Sequence, residues 1–275
     1  MKVIVTGGAG FIGSHIAKAT GGHVVDDFSA GYRENIKGLE FSNISVTDLP
    51  KLRQVFDKVR PEVVYHNAAS KKNICLKYPM RDLAVNAEGS YNVALLCREF
   101  GARMVHASTG SVYGEAQGVQ DEGHPINPVS YYGISKYAGE CYARQIADAV
   151  VLRYFHVYGR GQETASDRGG VIAIWLDRIK KRLPVVLYGD GTQQRSLTHV
   201  NDVVKANLLD LKPGVYNVAS GIHITLNEVL SMLKKHYDFE VIQKDWMPGD
   251  IKTFNVKSKL TLDWMPFEKG LEITI

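Results

Sequence analysis

The stretch Thr6-Gly7-Gly8-Ala9-Gly10-Phe11-Ile12-Gly13 constrains this 275-residue chain more than any other. It follows directly on the apolar run Val3–Thr6 and opens a segment whose apolar residues recur at helical spacing. Glycines at 7, 10 and 13 permit a tight turn, a close approach of backbone N–H groups to a pyrophosphate, and tight packing of a helix against a strand. A strand that turns through glycines into a helix begins a βαβ unit.

The following sequence continues in that manner. Short β-branched runs at 3–6, 23–26, 63–66, 103–107 and 149–153 alternate with helix-length segments at 11–19, 49–59, 80–100 and 132–148. The runs are almost continuously apolar, as strands are when helices cover both faces of a parallel sheet. The expected fold is α/β, a right-handed, doubly wound parallel sheet of the Rossmann kind. After Tyr154 the texture changes, with glycine and charged residues rising across 158–170. A dinucleotide-binding unit is therefore expected over 1–154 and about 197–212, and a smaller, discontinuous substrate-binding unit over about 155–196 and 213–275.

Asp26 and Asp27 stand at the end of the second expected strand. A carboxylate there accepts both ribose hydroxyls of NAD, whereas the 2′-phosphate of NADP meets like charge, so NAD is the expected cofactor. The interval from Gly13 to Asp26 is shorter than the ~20 residues usual for this pattern, which predicts a short first helix or a short loop after it.

Composition removes several other classes. With 33 Lys+Arg against 29 Asp+Glu and no basic arm, the net charge of +4 does not make a nucleic-acid footprint. No apolar run approaches the ~20 residues of a membrane helix, and the start does not read as a secretory peptide. Three isolated cysteines, Cys75, Cys97 and Cys141, form neither a disulfide framework nor paired zinc ligands, and the histidines lack metal-ligand spacing. A soluble, unprocessed, cytoplasmic chain is expected, without metal, nucleic-acid or membrane partner.

Within Tyr131-Tyr132-Gly133-Ile134-Ser135-Lys136, residues Tyr132 and Lys136 lie four apart and so share a helix face. Moving a phenol from a pKa near ~10 to ~7 takes about 4 kcal/mol of differential stabilisation. One ammonium at ~5 Å in an effective dielectric of ~20 supplies roughly 3 kcal/mol. A second cation is needed, and an oxidised nicotinamide has that charge. The preceding stretch Ala107-Ser108-Thr109-Gly110-Ser111 lies just after an expected strand, where open α/β sheets hold ligands. Thr109 suits a substrate hydroxyl facing Tyr132, with Ser108 and Ser111 as alternatives.

Taken together the chain resembles the extended short-chain dehydrogenase/reductase family, and within it the NAD-dependent nucleotide-sugar epimerases. The segments that carry this are VTGGAGFIGSH at 5–15, VVDDFSAG at 24–31, VYHNAAS at 64–70, Asn86 through Gly89, STGSVYG at 108–114, YYGISKYAGE at 131–140, RYFHVYG at 153–159, LYGDGTQQRSLTHVNDV at 187–203 and PGD at 248–250. The resemblance implies Tyr132 as base, Lys136 as ribose anchor and electrostatic partner, and Thr109 as the hydroxyl assisting proton transfer. Gly7, Gly10, Phe11, Ile12, Gly13, Asp26, Asp27, Val46, Ala68 and Lys71 would line the cofactor site, with Asn86 near it. Arg195 would grip a sugar-nucleotide diphosphate, and Ser111 and His156 would border the substrate. The implied reaction is epimerisation at C4 of a UDP-hexose of the UDP-glucose/UDP-galactose type through a transient 4-ketose, by a homodimer paired through the 80–100 and 132–148 segments.

Some positions depart from the pattern. Ser45 stands where relatives often have an adenine-contacting Asp, His156 where Asn is usual in RYFNVYG, and Met247 where an Arg usually precedes x-G-D. Methionine cannot donate to phosphate, so one cationic contact is absent or is supplied by another residue such as Arg168 or Lys252. Gly110 and Ser111 occupy the places where 4,6-dehydratases carry acids, which disfavours dehydration. A nucleotide-sugar reductase or dehydrogenase remains the alternative reading, followed by a dinucleotide-binding sensor without turnover.

Overall fold

The computed structural model describes residues 1–70, 76–165, 169–246 and 255–275. The expected apolar runs form β1 (Val3–Thr6), β2 (His23–Asp26), β4 (Val63–His66), β5 (Arg103–Thr109) and β6 (Val150–Tyr154). Two strands that the sequence did not announce, β3 (Phe41–Asn43) and β11 (Gly214–Val218), are the edges of the same sheet. Its seven strands run in the order β11-β6-β5-β4-β1-β2-β3 and all pair in parallel. The expected doubly wound Rossmann sheet is therefore present. The order reverses beside β1, and the carboxyl ends there are where such sheets leave a crevice.

The inner strands bury both faces. Val3 and Val5 pack with Ile16 and Ala17 of α1 (Phe11–Thr20) and with Val203 and Ala206. Ile4, between them, points to the opposite layer with Leu52 and Phe56 of α2 (Leu49–Val59) and Val93, Leu96 and Cys97. Fully burying one such aliphatic side chain is worth about 1.5–3 kcal/mol, so a polar residue at Val5 or Ile4 would open one layer of the core. The short interval before Asp26 is explained by a two-residue connection: α1 ends on Gly21 at φ +63°, and Gly22 leads directly into β2.

The expected helix over 80–100 is α3 (Pro79–Leu83), a π turn over Ala84–Glu88, and α4 (Gly89–Phe100). The next, α5 (Tyr131–Ala147), starts where the Ser130 hydroxyl accepts from the Gly133 N–H. Beyond β6 come β7 (Val157–Tyr158), α6 (Val171–Lys180), β8 (Val185–Tyr188), β9 (Gln194–Ser196), β10 (Thr198–His199) and α7 (Val200–Leu208). After β11 follow β12 (His223–Thr225), α8 (Leu226–Leu233), β13 (Val241–Lys244) and α9 (Phe267–Thr274). A separate core of Trp175, Leu176, Val229, Leu233 and Phe267 joins α6, α8 and α9. The stretch 214–218, read above as part of the second unit, is the sheet's edge strand, because its backbone pairs with β6.

Candidate active site

A cleft of about 390 Å³ opens where β1, β2, β4 and β5 end. The glycine loop forms its floor. Gly7 has φ +64°, and a Cβ there would stand 2.5 Å from the Ala68 nitrogen; a Cβ on Gly13 would stand 2.2 Å from the Gly7 oxygen. Both glycines are demanded by the protein's own backbone. At Gly10 a Cβ would meet nothing nearer than the Gly7 oxygen at 3.2 Å, so crowding within the protein explains that glycine less well than the approach of a ligand does. Gly10 caps α1 with no side-chain hydrogen bond, which leaves the first-turn N–H groups for an anion. This donor set fits a dinucleotide pyrophosphate.

Asp26 closes one end of the cleft. Its Oδ2 accepts from the Ala9 N–H at 2.9 Å and its Oδ1 from the Phe28 N–H at 2.8 Å, which fixes the carboxylate plane. Burial pushes its pKa above the usual carboxylate value, against the two N–H donors and with Asp27 adding to the rise. Gly7, Gly10, Phe11, Ile12, Gly13, Asp26, Asp27, Val46, Ala68, Tyr132 and Lys136 all line the cleft. Ser45 also lines it despite departing from the family's acid.

Tyr132 and Lys136 rise from one face of α5. Lys136 is only 2% exposed, and its Nζ donates to the Ala107 carbonyl at 2.5 Å. Burial lowers its pKa to about 8, with Glu140 and Asp82 opposing the shift, so the ammonium is largely charged at neutral pH. Burial also drives the neighbouring His66 down to about 3 and His106 well below its ordinary value, with the Lys136 charge adding to both shifts. Both imidazoles are neutral, and among the described residues that line the cleft Lys136 is the cation at this end.

Several expected residues stand elsewhere. Asn86 is fully buried outside the cleft lining, in the π turn. Its Oδ1 accepts from the Ser70 N–H at 2.8 Å, and its Nδ2 donates to Asp82 and Ser135, each at 3.0 Å. It thus braces α5 from behind. Thr109 ends β5 and Ser111 follows it, both beside the cleft without lining it, and the Thr109 Oγ1 accepts from the Ser111 N–H at 3.1 Å. Ser108 does line the cleft, but its hydroxyl donates to Glu140 at 3.0 Å. His156 and Arg195 are likewise absent from the lining. The Thr198 N–H donates to the His156 carbonyl at 3.4 Å, which brings His156 close to the end of the strand carrying Arg195. His156 has φ +33°, a region in which Asn and His are over-represented, so His replaces the usual Asn without a backbone penalty specific to it. Lys71, Cys75, Arg168, Met247, Lys252 and the PGD at 248–250 lie outside the described residues.

Sequence reasoning missed the contribution of Ser29, Ala30, Gly31, Asn67, Tyr154 and Glu163 to the cleft. The SAG turn at 29–31 was a local signal; Glu163 had none, since its place depends on contacts with segments far away in sequence, such as Tyr32.

Comparison with known proteins agrees with this geometry. Residues 3–219 match the model of the NAD dependent epimerase/dehydratase family. A putative UDP-glucose 4-epimerase of Methanocaldococcus jannaschii is 34% identical over 285 residues, covering 96% of this chain and 93% of that protein. The crystal structure of the Thermotoga maritima UDP-glucose 4-epimerase with UDP-glucose superposes with a TM-score of 0.93 at 34% identity, covering 100% of this chain and 97% of that one. The Thermus thermophilus UDP-glucose 4-epimerase in complex with NAD gives 0.87 at 34% identity, with the same coverage.

Proposed function

Because the chain belongs to the NAD dependent epimerase/dehydratase family, and is thereby a nucleotide-sugar enzyme using NAD, we propose that it epimerises C4 of a UDP-hexose of the UDP-glucose/UDP-galactose type. The observation that carries this reading is the shared cleft. Tyr132 and Lys136 line the same space as the glycine loop and Asp26, at the carboxyl end of β5.

Glycine-loop N–H groups would hold the cofactor's pyrophosphate, and Asp26 would accept from its ribose. Bound NAD supplies the acceptor and later donor of the C4 hydride, and its oxidised ring supplies positive charge. Tyr132 takes the proton of the substrate 4-hydroxyl. The Lys136 ammonium favours the phenolate form of Tyr132 by about 3 kcal/mol at ~5 Å and an effective dielectric of ~20. Thr109, at the end of β5, assists the proton transfer, and Ser111 borders the sugar. Arg195 and His156 meet the substrate's diphosphate side. After the transient 4-ketose has turned over in the cleft, Tyr132 would return the proton to its 4-oxygen. Substrate and product therefore have the same redox state, and the cofactor ends as it began.

Two copies associate through α4 and α5, whose exposed Tyr91 and Tyr142 rings pack edge to face at 5.5 Å, with Ile134 of α5 exposed as well. The free thiols of Cys97 and Cys141 suit the cytoplasm, and among the described residues no helix is long and apolar enough to cross a membrane.

Proton NMR of the protein with UDP-glucose, UDP-galactose and their N-acetyl and uronate analogues tests this reading. Conversion between the two hexoses without net formation of reduced nicotinamide is the expected result. Accumulation of NADH, or consumption of NADPH, would instead mark a dehydrogenase or reductase.

A further inference from the structure

Three adjacent strands place polar residues on one rung of the sheet. Ser108 on β5 is the register partner of Arg153 on β6, and Arg153 is the register partner of Asn217 on β11, so the three side chains share a face. None of them is more than 4% exposed. Two further buried residues reach across this rung: Glu140 from α5, and Tyr113 from the one-turn helix Gly110–Tyr113 that follows Thr109.

The hydrogen bonds fix one another's direction. Asn217 Nδ2 donates to the carbonyls of Gln120 and Lys257 at 3.0 and 2.8 Å, so its Oδ1 is the atom that faces the Tyr113 hydroxyl, which donates to it at 2.8 Å. That hydroxyl in turn accepts from Arg153 Nη1 at 2.7 Å. Arg153 Nε and Nη2 donate to the Glu140 carboxylate at 3.0 and 2.5 Å, and the Ser108 hydroxyl donates to the same carboxylate at 3.0 Å. The turn that carries Thr109 and Ser111 is thereby bracketed, because Ser108 just before it and Tyr113 at its end both finish on the Arg153–Glu140 pair. Glu140 lies one helical turn beyond Lys136 and two beyond Tyr132 on α5.

We propose that Tyr113 is a positioning residue which, through Arg153 and Glu140, holds the Thr109 turn at a fixed spacing from Tyr132. The proposal rests on the epimerase reading and deepens it: Thr109 and Tyr132 must converge on one substrate oxygen, and a misplacement of about 1 Å can cost as much as 10²-fold in rate. Tyr113 lies outside the cleft lining, so it acts on the reaction only through the residues it holds.

Tyr113→Phe deletes the one hydroxyl and keeps the ring that stacks on Phe155. Hexose conversion by proton NMR, NAD calorimetry and hydrogen-exchange mass spectrometry on the full chain test it, with Tyr216→Phe as control. Tyr216 is also on β11, but its hydroxyl donates to the Lys212 carbonyl, away from the rung. In Tyr113→Phe, kcat is expected to fall about tenfold while KM and the NAD dissociation constant stay within about twofold of wild type. The amides of 110–114 are expected to exchange about tenfold faster, with those of the glycine loop unchanged. Tyr216→Phe should alter none of these. Unchanged exchange at 110–114, or a kcat within about twofold of wild type, would overturn the proposal. So would a loss of NAD affinity matching the fall in kcat, the mark of general loosening. Should Tyr113→Phe not be recovered folded, Ser108→Ala, which removes the other hydroxyl from the same ion pair, is judged by the same limits. A wild type that converts no hexose would remove the epimerase reading, and the exchange rates would still decide whether Tyr113 holds the turn.

Discussion

Lys136 illustrates how much a single buried charge decides. Placing an ammonium where it is 2% exposed lowers its pKa to about 8, yet Glu140, one turn further along α5, and Asp82 oppose the fall. The cation survives at neutral pH beside the only expected base. Tyr132→Phe removes that base while leaving the glycine loop and Asp26 in place. Turnover is expected to fall by at least about 10²–10³-fold with NAD still bound, measured by a hexose-conversion assay beside calorimetry. Near-normal turnover would remove the mechanism. The Tyr132–Lys136 pair was legible because helical periodicity alone places residues four apart on one face. That Ser108 is committed elsewhere was not legible, because its hydroxyl donates to Glu140, a partner 32 residues away.

At the scale of elements, α5 is fixed from three sides. The Arg153 guanidinium on β6 grips Glu140 with Nε at 3.0 Å and Nη2 at 2.5 Å, an ion pair almost wholly out of solvent. Removing one partner of such a pair costs about 3–5 kcal/mol, since the other charge is left buried and unpaired. Asn86 holds the helix through Ser135, and Gly139 lets the π turn and α4 approach, because a Cβ there would collide with the Asn86 oxygen and stand 2.7 Å from the Ser90 Oγ. Asn86 thus supports the helix that carries Tyr132 and Lys136, a role that its place in a familiar motif did not disclose. The outer faces of α4 and α5 carry the Tyr91–Tyr142 pair, and these helices are expected to meet their symmetry mates. Tyr91→Asp should weaken the dimer by about 2 kcal/mol, roughly thirtyfold in dissociation constant, by analytical ultracentrifugation. A monomeric wild type, or an unaffected variant, would show that the face has another use.

At the scale of the whole molecule, two histidines in the middle of the sheet contribute to its acid sensitivity. His66 and His106 are register partners on β4 and β5, both fully buried, with ring centroids 5.3 Å apart. His66 binds Thr6 and Ser90, at 2.6 and 3.0 Å, whereas neither nitrogen of His106 has a hydrogen-bond partner among the described residues. Their folded pKa values lie below the unfolded value of 6.5, that of His66 at about 3. As pH falls below 6.5 the unfolded chain takes up protons that the folded chain refuses, so stability is full above this value and declines beneath it. Each histidine contributes a slope of up to about 1.4 kcal/mol per pH unit. His106→Leu, which forfeits no hydrogen bond, should reduce the decline between pH ~6.5 and ~5 by about 1 kcal/mol per unit, read from urea midpoints. An unaltered slope would place the sensitivity elsewhere. The sequence by itself determined the parallel sheet, the glycine loop, the acid at the end of β2 and the Tyr132–Lys136 pair, because each rests on local spacing: period, turn chemistry, or one helical turn. Only the tertiary structure decided that 214–218 closes the sheet, that Asn86 supports α5 rather than lining the cleft, and that Glu163 reaches the cofactor end. Those outcomes depend on contacts between segments tens to more than a hundred residues apart, whose geometry no local pattern records.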